Sequence, residues 1–320
     1  NVYVAYAYSS PGVNSVIRVA YKPLASPAAA WTEVTALASA GVAFGSPSLH
    51  SSEQSEASYR LFLAAVGADG NGDDIWVTRS INFGVTWDAG FEIASLASSD
   101  RRYASPAIRY GRSGIVHCTY SFLPDVSTGL DFAVRYRRAL NFMAATTDWQ
   151  PVVAVTSNAD GVNQYSSDVA ASPVSGNALL TWHRVDVAST LRLTAIVRQS
   201  SDDGATWPSA TDADLPTYLP QALASDASGN FVLLGHGDFF GSYGLSRSAA
   251  ATPRDFSPIG VAADRIYSQG TLTTYADAAL AIDPTRGQRA AMLWTRADPS
   301  IADTLFFDAE WLRDAGRPNV

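Results

Sequence analysis

The chain has 320 residues, of which 47% are hydrophobic and only 16% charged, enough apolar content for a sizeable core. Its net charge of −8, with no compensating basic stripe, excludes nucleic acid as a partner. No apolar run reaches the ~18 residues of a membrane-spanning segment, and the single cysteine, Cys118, excludes both an internal disulfide and a cysteine-built metal site.

In chain order, the first segment, Val2–Tyr6, reads as a strand that enters a repeat at its second position. The start at Asn1, without methionine or signal peptide, leads us to expect part of a longer, processed precursor. From there six aromatics, Trp31, Trp87, Trp149, Trp207, Phe256 and Trp311, follow long strands at intervals of 49 to 62 residues. That period suits a four-stranded blade and is too long for most solenoid repeats. The expectation is an all-β fold, a six-bladed β-propeller of four-stranded antiparallel blades. It fills one domain over 1–320, with blades near 1–43, 44–101, 102–160, 161–215, 216–268 and 269–320. No shift in composition marks a linker.

Within the period, a short inner strand opens near Ser46-Pro47 and again near Ser105-Pro106. Its counterparts begin at Asp168, Pro220 and Asp277. Second strands are continuously apolar, as in Arg60–Ala64, Gly114–His117, Asn177–Trp182, Phe231–Leu234 and Ala290–Trp294, which reads as burial on both faces. Cys118 falls in such a run and reads as a small core residue. Third strands alternate, as in Ile75–Arg79 and Ala195–Gln199.

Several side chains are candidates for chemistry. Asp69, Asn71 and Asp73 place oxygen at alternate positions, as calcium loops do, though Ser80 stands where such a loop wants glutamate. Both a solvated hairpin turn and a calcium site remain open there; no other cofactor is required. The basic clusters Arg101–Tyr103 and Arg135–Arg138 read as a solvated outer face, or as an anion contact. His50, His117, His183 and His236 fall one to a blade. His183 and His236 end second strands and precede Arg184 and Gly237-Asp238, so they are placed to line a pocket, where a His236–Asp238 pair would do acid–base work or simply hold a turn. Tyr103, Tyr165, Tyr218 and Tyr275 precede inner strands at repeat spacing. A set of tyrosines at one mouth follows, its rings stacking on sugar faces or packing between blades.

Two segments carry a resemblance. Ser200–Trp207 fits Ser-x-Asp-x-Gly-x-Thr-Trp at every defined position, and Ser80–Trp87 fits with Asn82 in place of aspartate. These resemble the Asp-box turns of the sialidase superfamily. The resemblance implies a structural role for Ser80, Asn82, Gly84, Trp87, Ser200, Asp202, Gly204 and Trp207: the Asp or Asn bonds nearby amides, the glycine takes a positive φ, and the tryptophan plugs the turn.

Sialidases themselves use three arginines on the substrate carboxylate, a tyrosine nucleophile activated by glutamate, and an acid–base aspartate. The resemblance puts Arg184 at the second arginine and Tyr275 at the nucleophile. The first arginine's Arg-Ile-Pro motif is absent, and no glutamate lies between 93 and 309; Asp168 stands nearest the glutamate's place. A sound fold signal with a broken catalytic set leads us to expect a non-catalytic secreted or cell-surface module, binding glycan or extracellular protein at its central face. The alternatives are a sialidase-like exo-glycoside hydrolase with a degenerate catalytic set, and a structural unit of an extracellular assembly or filament.

Overall fold

The computed structural model describes residues 1–10, 14–23, 26, 28–52, 59–95, 102–124, 132–157, 162–186, 192–215, 219–236, 243–258, 274–283, 289–298 and 301–311. Contacts divide the chain into two compact units, Asn1–Ser167 and Asp168–Val320. Among the described residues, helix is confined to short 3-10 turns at Asn141–Met143, Thr146–Asp148 and Ser209–Thr211.

In the first unit, β1 (Val2–Tyr8), β2 (Val16–Lys22) and β3 (Thr32–Leu37) form a three-stranded sheet in that order. Two antiparallel quartets follow: β4 (Ala43–Ser51), β5 (Leu61–Ala68), β6 (Asp73–Ser80) and β7 (Phe91–Ala94), then β8 (Arg102–Tyr110), β9 (Val116–Leu123), β10 (Ala133–Ala139) and β11 (Val153–Ala154). One parallel bridge, Asp73 opposite Arg102, joins the quartets into an eight-stranded sheet.

Strand β12 (Val162–Ala171) runs across the boundary into the second unit. It leads the sheet β12, β13 (Ala178–Asp186), β14 (Arg192–Ser200), β15 (Ala213–Asp214). The next sheet is β16 (Leu219–Ser225), β17 (Phe231–His236), β18 (Tyr243–Ala249), β19 (Thr252–Pro258). The last is β20 (Thr274–Asp283), β21 (Arg289–Asp298), β22 (Ile301–Trp311).

The continuous apolar strands β5, β9, β13 and β17 are buried on both faces, and the period of two divides their side chains between neighbours. Along β5, Phe62 and Ala64 join a core with Ile108, Cys118 and Tyr120. Their alternates Leu63 and Ala65 pack with Ile17, Val19 and Phe44. In the second unit Leu179, Val197, Leu223, Phe231 and Leu233 make the equivalent layer.

Two details differ from the sequence reading. Ser46-Pro47 and Ser105-Pro106 lie inside β4 and β8 rather than at their starts. The register slips between Gly45 and Ser48 and between Ala104 and Ala107, with Ser46 and Ser105 at φ of 47° and 49°. A bulge takes proline, which has no N–H to give, out of the ladder, so each strand continues upstream of it. The marker aromatics also diverge. Trp31, Trp87, Trp149 and Trp207 precede outer strands, whereas Phe256 lies within β19 and Trp311 ends β22. At β19 the reason is local: a tight hairpin with Ala249 opposite Thr252 replaces the longer turn that would carry the aromatic.

Candidate functional site

The two Ser-to-Trp turns have one geometry. Ser80 Oγ accepts from Gly84 N at 2.9 Å and donates to Asn82 Oδ1, which accepts from Thr86 N at 2.9 Å. Ser200 Oγ accepts from Gly204 N at 2.9 Å and donates to Asp202 Oδ1, which accepts from Thr206 N at 2.9 Å. Gly84 and Gly204 sit at φ of 83° and 76°, where a Cβ would be strained. Partial burial works against the Asp202 carboxylate, but hydrogen bonds from Thr206 and Ser200 outweigh it and hold its pKa below the ordinary value. Trp207 is buried beneath its turn, and Trp87 packs against the core around Leu63.

Adjacent inner strands are joined by side chains reaching the neighbour's backbone. Ser48 Oγ in β4 accepts from Ile108 N in β8 at 3.1 Å, and His50 Nδ1 accepts from Tyr110 N at 3.0 Å. In the second unit, Asp168 in β12 accepts from Val169 N at 2.8 Å and from Leu223 N in β16 at 2.7 Å. Ser225 Oγ donates back to Ala171 O at 2.6 Å. The buried Asp168 carboxylate thus holds two strands together, which occupies the oxygens a general base would use. Burial, helped by Arg109 and His117, pushes the His50 pKa down to about 3, so its Nδ1 stays an acceptor.

The other candidate residues are placed as follows. Arg184 is exposed on β13, opposite Thr194. Its neighbour His183 is buried, which lowers its pKa to about 4 and keeps it neutral. Tyr275 stands on β20 opposite Arg296, the register position that Ala104 fills in β8, while Thr274 takes the position of Tyr103. Tyr103 is half-buried, its ring edge-on to Tyr120 at 5.2 Å and tilted to Phe122 at 5.3 Å. Tyr165 lies on β12 and His236 on β17, their side chains outside the described residues; Tyr218 and Asp238 lie outside them altogether.

The Arg135–Arg138 cluster is not a solvated face. Arg137 donates to Gln150 O at 2.8 Å and to the Ile93 carbonyl; Arg135 donates to Thr156 O at 2.9 Å and lies over the Phe122 ring. Strand β10 carries neighbours on both sides, so these guanidinium groups close backbone carbonyls between sheet and loop. In the β5–β6 hairpin, Asp69 Oδ1 accepts from Asn71 N at 2.8 Å, and Asp73 pairs with Arg102 at 3.6 Å. No group of three or more His, Cys, Asp or Glu side chains able to hold a metal occurs among the described residues.

Sequence reasoning missed one buried acid. Asp226 accepts from Ser228 N, Asn230 N and Asn230 Nδ2, and pairs with Arg247 at 2.7 Å. It organises the β16–β17 turn in a sheet whose β18–β19 connection is a short hairpin. The turn signal Ser228-Gly229-Asn230 was the available clue.

No protein-family model matches this chain, and no curated protein matches it. Solved structures do. The α-L-arabinofuranosidase Arb93A of Fusarium graminearum, held with an iminosugar inhibitor, is similar over 98% of this chain and 90% of its own, at 12% identity and a TM-score of 0.66. A Hadza microbial sialidase is similar over 85% of this chain and 57% of its own, at 13% identity and TM-score 0.56. A thermostable family-43 glycoside hydrolase follows at 11% identity and TM-score 0.52, over 86% of this chain and 91% of its own. The shared property is the fold: nearly all β, and that of the sialidase-like propeller glycoside hydrolases.

Proposed function

We propose that this chain is an exported, six-bladed exo-glycoside hydrolase of the sialidase-like kind, with an altered catalytic set. The observation that carries the reading is a likeness spanning 98% of the chain to an enzyme that acts on glycosides. Arg184 supports it: an exposed guanidinium near the end of a second strand is positioned to hold a sugar carboxylate or hydroxyl. The sialidase likeness gives the acid–base role to an aspartate. We assign Asp186, the last residue of β13 and two positions beyond Arg184, to that role, and Tyr275 to the nucleophile's. The test is fluorophore release from a panel of glycosides that includes an α-L-arabinofuranoside and a sialoside. Turnover that falls about 100-fold in both Asp186→Asn and Tyr275→Phe is expected. Absence of turnover on every glycoside would overturn the reading.

A second reading, the non-catalytic binding module, draws on Asp168. The carboxylate nearest the family's glutamate is engaged by the Val169 and Leu223 amides. In that case the same panel gives no turnover, while glycan binding weakens in Arg184→Ala.

A further inference from the structure

Two exposed serines stand where glycine would be easier. Ser46 and Ser105 occupy the bulges of β4 and β8, at φ of 47° and 49°. A bulge that puts a residue in the left-handed region ordinarily uses glycine, which reaches it without strain. Each serine also precedes a proline, and the residue before proline is ordinarily extended. The same two sources of strain therefore meet at the same place on neighbouring inner strands. The bulge does not itself call for serine, since it recurs between Pro220 and Ala222 in β16 and between Tyr275 and Ala278 in β20.

Nothing bonded to these hydroxyls offsets the strain. A serine in irregular backbone commonly returns its hydroxyl to a nearby main-chain group. Ser48, two residues beyond Ser46, is engaged across strands: its Oγ accepts from Ile108 N at 3.1 Å and from Arg109 Nη1 at 3.3 Å. The Ser46 and Ser105 hydroxyls bond to no described residue, and both residues are exposed. Strain held at an exposed, unbonded polar residue is the pattern of a ligand clamp, and bulges re-aim side chains beside binding sites. The strands that carry the serines run side by side, because Ser48 reaches Ile108 N and His50 reaches Tyr110 N. Tyr103, two residues before Ser105, adds a half-buried ring at the same end of β8.

We propose that Ser46 and Ser105 are substrate-binding residues whose hydroxyls bond to hydroxyls of a sugar ring. A serine hydroxyl donates and accepts at once, and a sugar hydroxyl needs both from its surroundings. The ligand class rests on the glycoside hydrolase reading, whereas the site uses no residue assigned there.

The test uses the 320-residue chain with hydrolysis-resistant thioglycosides of α-L-arabinofuranose and sialic acid. Affinity is read by saturation-transfer NMR, and turnover separately on the fluorogenic panel. Ser46→Gly with Ser105→Gly keeps the left-handed backbone and removes both hydroxyls. Affinity for at least one thioglycoside is expected to fall about tenfold, the loss of two neutral hydrogen bonds, with the melting temperature unchanged or raised. Asparagine tolerates the left-handed region and both donates and accepts, so Ser46→Asn with Ser105→Asn should restore affinity to within about threefold of wild type. Should the double glycine variant fail to fold, each single variant carries the same comparison, with an expected fall of about threefold. Equal affinity in wild type and double variant overturns the proposal, as does a wild type that binds neither thioglycoside. Weaker binding with a lower melting temperature, unrelieved by asparagine, also overturns it and assigns the serines to the bulge alone. Turnover with an unchanged KM in the double glycine variant overturns this proposal and leaves the hydrolase reading standing. Absence of turnover, with the expected loss of affinity, does the reverse.

Discussion

Replacing Asp168 separates a strand-joining carboxylate from a catalytic one. Asp168→Ala removes the acceptor from two amides, Val169 N at 2.8 Å and Leu223 N at 2.7 Å. A hydrogen bond to a charged acceptor contributes about 1.5–3 kcal/mol, and a buried amide left without one costs about 1–3 kcal/mol. The Val169 bond is local and partly replaceable; the Leu223 bond spans two strands and is not. The expected loss is about 3 kcal/mol for Asp168→Ala. Asp168→Asn keeps a carbonyl oxygen for one amide, and its expected loss is about 1–2 kcal/mol. Urea unfolding followed by tryptophan fluorescence, extrapolated linearly to water, measures both. If hydrolysis is detected, Asp168→Asn should keep it within about tenfold, because a base removed outright costs more. A loss below about 0.5 kcal/mol for Asp168→Ala, or a larger loss for Asn than for Ala, would refute the reasoning.

Other outcomes follow from burial and from the turns. Burial pushes the Cys118 thiol up to about 12, so alkylation at pH 8 should be negligible in the folded chain and rapid once urea unfolds it. Burial pulls His183 down to about 4, below its unfolded value of ~6.5, so the unfolded chain takes up the proton first. Stability present above pH 6.5 is then lost as pH falls toward 4, by about 3 kcal/mol, and His183→Gln should flatten that part of the urea-midpoint profile. Ser200→Ala deprives Gly204 N and Asp202 of a shared buried hydroxyl and should cost about 2 kcal/mol by the same unfolding measurement. Asn82→Asp, which reproduces the twin turn, should stay within about 1 kcal/mol of wild type.

The strands were legible because burial on both faces leaves a continuous apolar run, as in Leu61–Ala65, and because Ser200–Trp207 specifies its turn through residues adjacent in sequence. The Ser-Pro pairs were visible but misplaced within their strands, since a bulge depends on the register with a partner strand. Asp168 was opaque for a related reason: Leu223, the partner that defines it, lies 55 residues away. The turn around Asp226 left a local signal in Ser228-Gly229-Asn230, whereas its pairing with Arg247, 21 residues away, left none. Arg137 was misread because alternation gives a side chain's face but not what lies opposite that face.

The reach of the joining side chains between inner strands has a geometric consequence. Serine extends one bond beyond Cβ to its acceptor, aspartate two, and histidine holds a rigid ring between the two backbones. Ser48 and Asp168 therefore act as spacers of different length in comparable places, and His50 adds a second contact between the strands that Ser48 joins. A pair of inner strands held this way follows the length of one side chain, whereas a ladder would impose a fixed interval. Repeats of unequal size can then be fitted together by exchanging single residues, with no change to the strands themselves.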